Sequence, residues 1–195
     1  PFWDGNETWL VLGGGGLFAA FPLAYSIIMP AFYIPLIMML LGLIFRGVAF
    51  EFRFKASEKS RKLWDSCFHF GSIIATFCQG LMLGAFVQGL CVKERQFAGG
   101  GFDWLTPFSL MTGLALIFGY ALLGATWLVM KTHQQTQVWA RQSALYILNY
   151  VVLFLGLVCL WVPFLNPQIF HRWFSSVHIL YIFPIPLLTG FIVFL

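Results

Sequence analysis

The sequence predicts an all-α integral membrane protein. Of its 195 residues, 60% are hydrophobic and only 9% are charged, and the mean hydropathy is +0.85. Soluble domains carry about 25% charged residues and about 45–50% apolar ones. The composition therefore excludes an ordinary soluble globule, a disordered chain and a disulfide-stabilised secreted module. Long charge-free runs predict helices, because in lipid only helices and closed barrels pair all of their own backbone groups.

Six apolar stretches have about the length that a bilayer crossing needs, roughly 20 residues. These predicted helices span approximately residues 9–29, 32–50, 64–90, 107–130, 144–165 and 176–195. The first is expected to break near Met29-Pro30. No repeat divides the six into similar halves, so residues 1–195 are predicted to form one helical bundle. The chain starts at Pro1 and stops within an apolar run, so we expect an internal piece of a longer membrane protein, truncated at both ends.

The positions of the basic residues predict the orientation, because cytoplasmic loops are enriched in Lys and Arg. Eight of the eleven basic residues lie in or beside loops 51–63 and 131–143, and three lie on the other side. Both loops and the N-terminal residues are thus expected to be cytoplasmic. The basic residues Arg46 and Arg53, with Glu51, are expected to snorkel towards lipid headgroups. No nucleic-acid partner is indicated, because the positive charges lie at helix ends.

The N-terminal segment Trp3-Asp4-Gly5-Asn6-Glu7 precedes the first apolar run. Asp4, followed three residues later by Glu7, has the spacing of a helix N-cap with a capping box. Alternatively, Asp4, Asn6 and Glu7 form the mouth of a proton path, because ionisable residues near the membrane interior are costly and commonly functional. The sequence leaves both interpretations open.

The glycines and the amide side chains within the predicted helices each allow two interpretations. Small residues allow close helix packing, or they leave room for a small molecule beside the helix. The glycines in question are Gly13, Gly14, Gly15 and Gly16 in the first predicted helix, Gly80, Gly84 and Gly89 in the third, and Gly113, Gly119 and Gly124 in the fourth. Similarly, Gln79, Gln88 and Asn149 are expected to hydrogen-bond across helices or to line a polar path.

The sequence gives little indication of a metal site or of a nucleophilic catalytic residue. The four cysteines are widely spaced with no C-x-x-C pair, so they are predicted to act as small apolar residues. His69 is the histidine that the pattern places inside a predicted helix, and it is the candidate ligand for a metal or haem; a core histidine is the alternative. Phosphate-loop, G-x-S-x-G and H-E-x-x-H motifs are absent, so no stand-alone enzyme is expected.

Several motifs resemble subunit II of the cytochrome bd-type quinol oxidases. They are Trp3-Asp4-Gly5-Asn6-Glu7 with Trp9-Leu10 and the glycine run, the segments 17–25 and 45–53, Trp64-Asp65, Gly71-Ser72, Leu105-Thr106-Pro107-Phe108 and the segment 124–132. The resemblance covers the chain up to about Ala144. The Gln79-Gly80 and 124–132 segments are most similar to the cyanide-insensitive branch.

The resemblance implies a subunit of a complex that oxidises quinol and reduces dioxygen to water in the bacterial inner membrane. Haems b and d would belong to the partner, subunit I, and this chain would bind no haem directly. Some family members add a structural quinone or a small accessory subunit. Asp4 corresponds to a carboxylate on the family's proton path, and Trp9 to a tryptophan at the entrance of its oxygen route. A transporter or channel with glycine-rich helices along a solute pathway is the alternative function.

Overall fold

The computed structural model describes residues 2–165 and 170–171, with side chains from Glu7 onward. Its elements, in chain order, are α1 (Phe2–Ala20), α2 (Pro22–Ala31), α3 (Tyr33–Lys55), α4 (Glu58–Gln88), β1 (Val92–Lys93), β2 (Gln96–Phe97), α5 (Pro107–Lys131) and α6 (Gln134–Leu165). Four of these helices, α3 to α6, are long and apolar enough to cross a membrane. The prediction of a helical, multi-pass membrane protein is confirmed, with one two-stranded antiparallel hairpin added.

The first predicted helix, 9–29, is two helices in the structure, α1 and α2. The break predicted near Met29-Pro30 is confirmed, because α2 ends at Ala31 and α3 begins at Tyr33. A second break, which the sequence pattern did not predict, lies at Phe21, before Pro22. Proline at the first position of a helix loses no hydrogen bond, because its missing N–H would be unpaired there anyway. The Phe21 N–H still donates to the Leu17 carbonyl at 2.9 Å, so α2 follows α1 with no loop between them.

The helices extend further than the apolar pattern predicts. Most of the predicted loop 51–63 is helical, and only Ala56 and Ser57 separate α3 from α4. Likewise Thr132 and His133 alone separate α5 from α6. The apolar pattern locates only the part of a helix that lies in the membrane. Glu, Lys, Arg and Gln favour the helical conformation, so they extend the helix into water. We call this side of the bundle the basic end and the opposite side the hairpin end. The predicted helix 176–195 lies outside the described residues.

Helices α3 to α6 pack in chain order, α3 on α4, α4 on α5 and α5 on α6. Glycines bring the first two pairs close together. A Cβ on Gly42 would lie 2.8 Å from the Gly71 carbonyl oxygen, and a Cβ on Gly80 would lie 2.6 Å from that of Thr112. Any larger residue there would collide with backbone. Close packing is therefore confirmed for Gly80, Gly84 and Gly113, whereas Gly89, Gly119 and Gly124 face open space.

Two buried apolar clusters form the core. One joins Met39 of α3 with Ala75 and Cys78 of α4, and Leu10 of α1 packs against it. The other lies at the hairpin end and is built from Ala31, Phe32, Leu81, Ala85 and Trp104. Cys78 is fully buried, as expected of a cysteine that acts as a small apolar residue. Both clusters centre on α4, which is consequently the central helix of the described part.

Candidate functional site

Helix α1 approaches α3 at an ion pair between Glu7 and Arg46. Glu7 Oε1 lies 3.9 Å from Arg46 Nε, and the two side chains are 27% and 28% exposed. Both of these atoms are buried, and neither has a hydrogen-bond partner in the described part of the chain. Arg46 precedes the end of α3 by nine residues, which is about 14 Å of helix. The guanidinium of Arg46 thus faces a carboxylate of α1, and the expectation that it snorkels to the headgroups stays a prediction.

The acidic segment lies within a helix. Since α1 begins at Phe2, Asp4 occupies its first turn, and the prediction that Asp4 is the N-cap residue is wrong. Positions three apart share a helix face, so Asp4 and Glu7 stand on the same side of α1. For Asp4 and Asn6 the structure describes only the helical backbone. Their role in proton transfer remains a prediction.

Much of α1 faces outward. Trp9 is 71% exposed. Apart from the backbone of α1 itself, no atom lies within 4 Å of the place where a Cβ would stand on Gly13, Gly14, Gly15 or Gly16. The glycine run therefore packs against no other helix among the described residues, contrary to the packing interpretation. It leaves one stretch of α1 free of side chains and open to close approach.

The described histidines, His69, His133 and His171, are all exposed. His69 lies within α4, as the sequence predicts, and is exposed on its surface, with its ring 5.7 Å from that of Phe70. His133 lies in the turn between α5 and α6 and is exposed. His178 lies outside the described residues. Within residues 2–165 and 170–171, no three His, Cys, Asp or Glu side chains form a group that could hold a metal.

A hydrogen-bonded polar network joins α4 to the start of α5. Gln88 Nε2 donates to Thr106 Oγ1 at 2.6 Å, and Thr106 and Ser109 form a reciprocal capping box. Further along, Thr112 Oγ1 donates to the Gly80 carbonyl at 2.9 Å. Thr106-Pro107 with Ser109 is a start signal for a helix that could have been found in the sequence. The predicted cross-helix bonding is confirmed for Gln88.

The other two amides differ from each other. Gln79 of α4 accepts a hydrogen bond from the hydroxyl of Tyr120 on α5 at 3.0 Å, which again confirms bonding across helices. Asn149 instead donates to the Leu145 carbonyl of its own helix at 3.2 Å. For Asn149 the cross-helix prediction is therefore wrong.

A second ion pair lies at the basic end. Arg53 of α3 donates to the carboxylate of Asp65 on α4, and the two side chains are 48% and 52% exposed. The rings of Phe52 and Trp64 pack next to the pair, with centroids 5.4 Å apart. Arg53 therefore joins two helices at the basic end, and its snorkelling to headgroups stays a prediction. The sequence offered no signal for this pair, because its members lie twelve residues apart across a helix junction.

Two concavities lie at the hairpin end, away from Glu7 and Arg46. A cavity of about 130 Å³ is lined in part by Gln88, Cys91, Asp103 and Trp104. A larger and more apolar groove of about 480 Å³ lies beside Pro30, Tyr33 and Gly101. Their linings contain no residue of α1. The carboxylates and the glycine run of α1 therefore form a separate candidate site.

Comparison with known proteins gives one consistent family. The model of the family described as Cytochrome bd terminal oxidase subunit II matches residues 1–195. Cytochrome bd-I ubiquinol oxidase subunit 2 of Escherichia coli K12 is 35% identical over 155 residues, covering 74% of this chain and 41% of the relative. Cytochrome bd ubiquinol oxidase subunit 2 of Bacillus subtilis 168 is 35% identical over 153 residues, with 77% and 45% covered. The chain spans less than half the length of these relatives.

Proposed function

Because this chain belongs to the family of cytochrome bd oxidase subunit II, we propose that it works as one subunit of a membrane-bound quinol oxidase. The complex would oxidise quinol, reduce dioxygen to water and contribute to a proton gradient. The observation that carries this proposal is the match of the whole chain to the family, together with 35% identity to a protein named as a ubiquinol oxidase subunit. Nothing in the comparisons favours the transporter or channel alternative.

Haems b and d are assigned to a partner, subunit I. The described histidines His69, His133 and His171 are all exposed, so the described part of the chain shows no buried pair of imidazoles of the kind that holds a haem. Burial of redox groups by ligands from facing helices is the usual arrangement in helical bundles. The outward faces of α1, α5 and α6 carry large apolar side chains that a partner or lipid would cover. In this proposal the chain packs against subunit I and provides a path for protons.

Proton uptake is assigned to α1, with Asp4, Asn6 and Glu7 at its start. The basic end is cytoplasmic under the positive-inside rule, since it holds most of the Lys and Arg. Support comes from the position of Asp4 and Glu7 on one face of a helix that leads into the bundle. Protons taken up there would replace those consumed when dioxygen is reduced to water in the partner.

The test of this role is Asp4→Asn in the assembled complex. Oxygen consumption with saturating quinol should fall about tenfold or more, because one proton carrier is lost. Haem absorption spectra should stay unchanged, which shows that the complex assembles. Glu58→Gln is the matched control, because Glu58 is an exposed carboxylate at the start of α4 and lies outside this site. Wild-type turnover in Asp4→Asn would exclude the proton role and leave the family membership intact.

An oxygen route along α1 is proposed from Trp9 and the glycines at 13–16. Trp9 is exposed and the glycine run is open, so a small apolar molecule could pass beside α1 under a covering partner helix. Gly14→Leu should raise the apparent KM for oxygen about threefold without lowering kcat, because it narrows access only. Gly119→Leu is the control, as Gly119 is equally open but lies on α5. An unchanged KM for oxygen in Gly14→Leu would contradict the route.

A further inference from the structure

We propose that Arg46 is a positioning residue for proton transfer on α1 and that it acts through Glu7. The inference rests on the proposed function, because it concerns how the carboxylates of α1 work. Arg46 lies about 14 Å of helix from the end of α3, at a depth where an unpaired charge is costly. An arginine at that depth calls for a partner, and Glu7 is the partner that the structure provides.

The geometry of this pair differs from that of an ion pair that only joins two helices. Arg53 and Asp65 on α3 and α4 are hydrogen-bonded, and about half of each side chain is exposed to solvent. Glu7 Oε1 and Arg46 Nε lie 3.9 Å apart, are buried and form no hydrogen bond. Arg46 thus attracts the Glu7 carboxylate without occupying this oxygen. The oxygen stays able to accept a proton.

The position of Glu7 places it one step beyond Asp4. Three residues of helix correspond to a rise of about 4.5 Å. In the proposed transfer, the carboxylic acid of Asp4 gives a proton to the Glu7 carboxylate, and Asp4 takes up a new proton from the basic end. Glu7 then releases its proton towards the partner subunit and returns to the carboxylate. Arg46 keeps its charge throughout, and its role is to hold the carboxylate in place on the α3 side of α1.

The experiment measures oxygen consumption by the assembled two-subunit complex in H2O and in D2O. Arg46→Gln should slow turnover about tenfold and raise the solvent isotope effect, because a misplaced Glu7 makes proton transfer limiting. Arg46→Lys should retain most of the rate, because it keeps the charge. Arg46→Gln combined with Glu7→Gln should be no slower than the slower single variant, since both act on one step. Arg53→Gln is the matched control and should match the wild type.

A second double variant separates transfer from simple helix joining. Exchanging the charges with Glu7→Arg and Arg46→Glu keeps an ion pair but moves the carboxylate from α1 to α3. This variant should assemble, as judged by haem spectra, and should remain slow. Restored wild-type turnover would show that the pair only joins helices, and it would overturn the inference. That outcome also decides the matter if Arg46→Gln alone fails to assemble.

Failure of the inference and failure of the proposed function give different results. If Asp4→Asn is slow but Arg46→Gln turns over normally with an unchanged isotope effect, only the role of Arg46 is wrong. If Asp4→Asn itself turns over normally, the proton path on α1 is wrong. Additive losses in the Arg46→Gln and Glu7→Gln double variant would show that Arg46 does not act through Glu7.

Discussion

Helices α3 to α5 and helix α1 are built in opposite ways. Between α3, α4 and α5, glycines bring backbones into contact, and polar side chains such as Gln88 and Thr112 are hydrogen-bonded across the helix boundary. Helix α1 contacts α3 and α4 through Leu10 and the Glu7–Arg46 pair, and the glycines at 13–16 face open space. Glycine therefore allows close helix packing in α3–α5, whereas in α1 it leaves the helix surface open. Stability is concentrated in α3–α5, and the proposed chemistry lies on α1.

The largest expected effect comes from filling a glycine contact of the packed region. Gly80→Ala would place a Cβ 2.6 Å from the Thr112 carbonyl oxygen, so α4 and α5 must separate. We expect a loss of about 3 kcal/mol in stability, measured as a lower melting temperature of the purified complex. Gly119→Ala on α5 is the control and should cost nothing, because its surroundings are open. Equal melting temperatures for both variants would contradict the contrast between the two kinds of glycine.

A smaller effect is expected from the polar network. Ser109 is fully buried, donates to the Trp104 carbonyl and accepts from the Thr106 N–H at 2.9 Å. Ser109→Ala removes both of these bonds and leaves only the longer bond from the Thr106 N–H to the Trp104 carbonyl, at 3.2 Å. The loss should cost about 1 kcal/mol, again measured as a lower melting temperature. Ser72→Ala is the matched control, since the exposed Ser72 hydroxyl bonds only within its own helix. Turnover should stay unchanged in both variants, and a specific turnover loss in Ser109→Ala would place function in the packed region.

The smallest effect is expected at the exposed ion pair. Arg53→Gln removes a partner of Asp65, but water screens this exposed pair and replaces its hydrogen bonds, so the stability should not change measurably. Melting temperature and turnover should both match the wild type within error. A large loss would mean that the two ion pairs of α3 are equivalent, which would weaken the distinction drawn for Arg46.

The sequence predicts the helical membrane class and the order of the spans because these depend on local hydropathy. It misses the break at Phe21, where Pro22 starts a new helix, although it finds the break that follows Pro30. It also misses the contact between Gly42 and Gly71 and the pairing of Glu7 with Arg46. Such partners are separated by 29 and 39 residues, and only the packing of whole helices brings them together. The spacing of residues within one segment does not predict how whole helices pack.

The central claim is that this chain serves a haem-bearing quinol oxidase. The direct measurement is a reduced-minus-oxidised absorption spectrum of the tagged protein, purified in mild detergent after expression from its natural gene with its genomic neighbours. We predict haem bands together with a larger co-purifying subunit, and oxygen consumption when quinol is added. A colourless preparation with no larger subunit and no quinol-dependent oxygen consumption would contradict the claim.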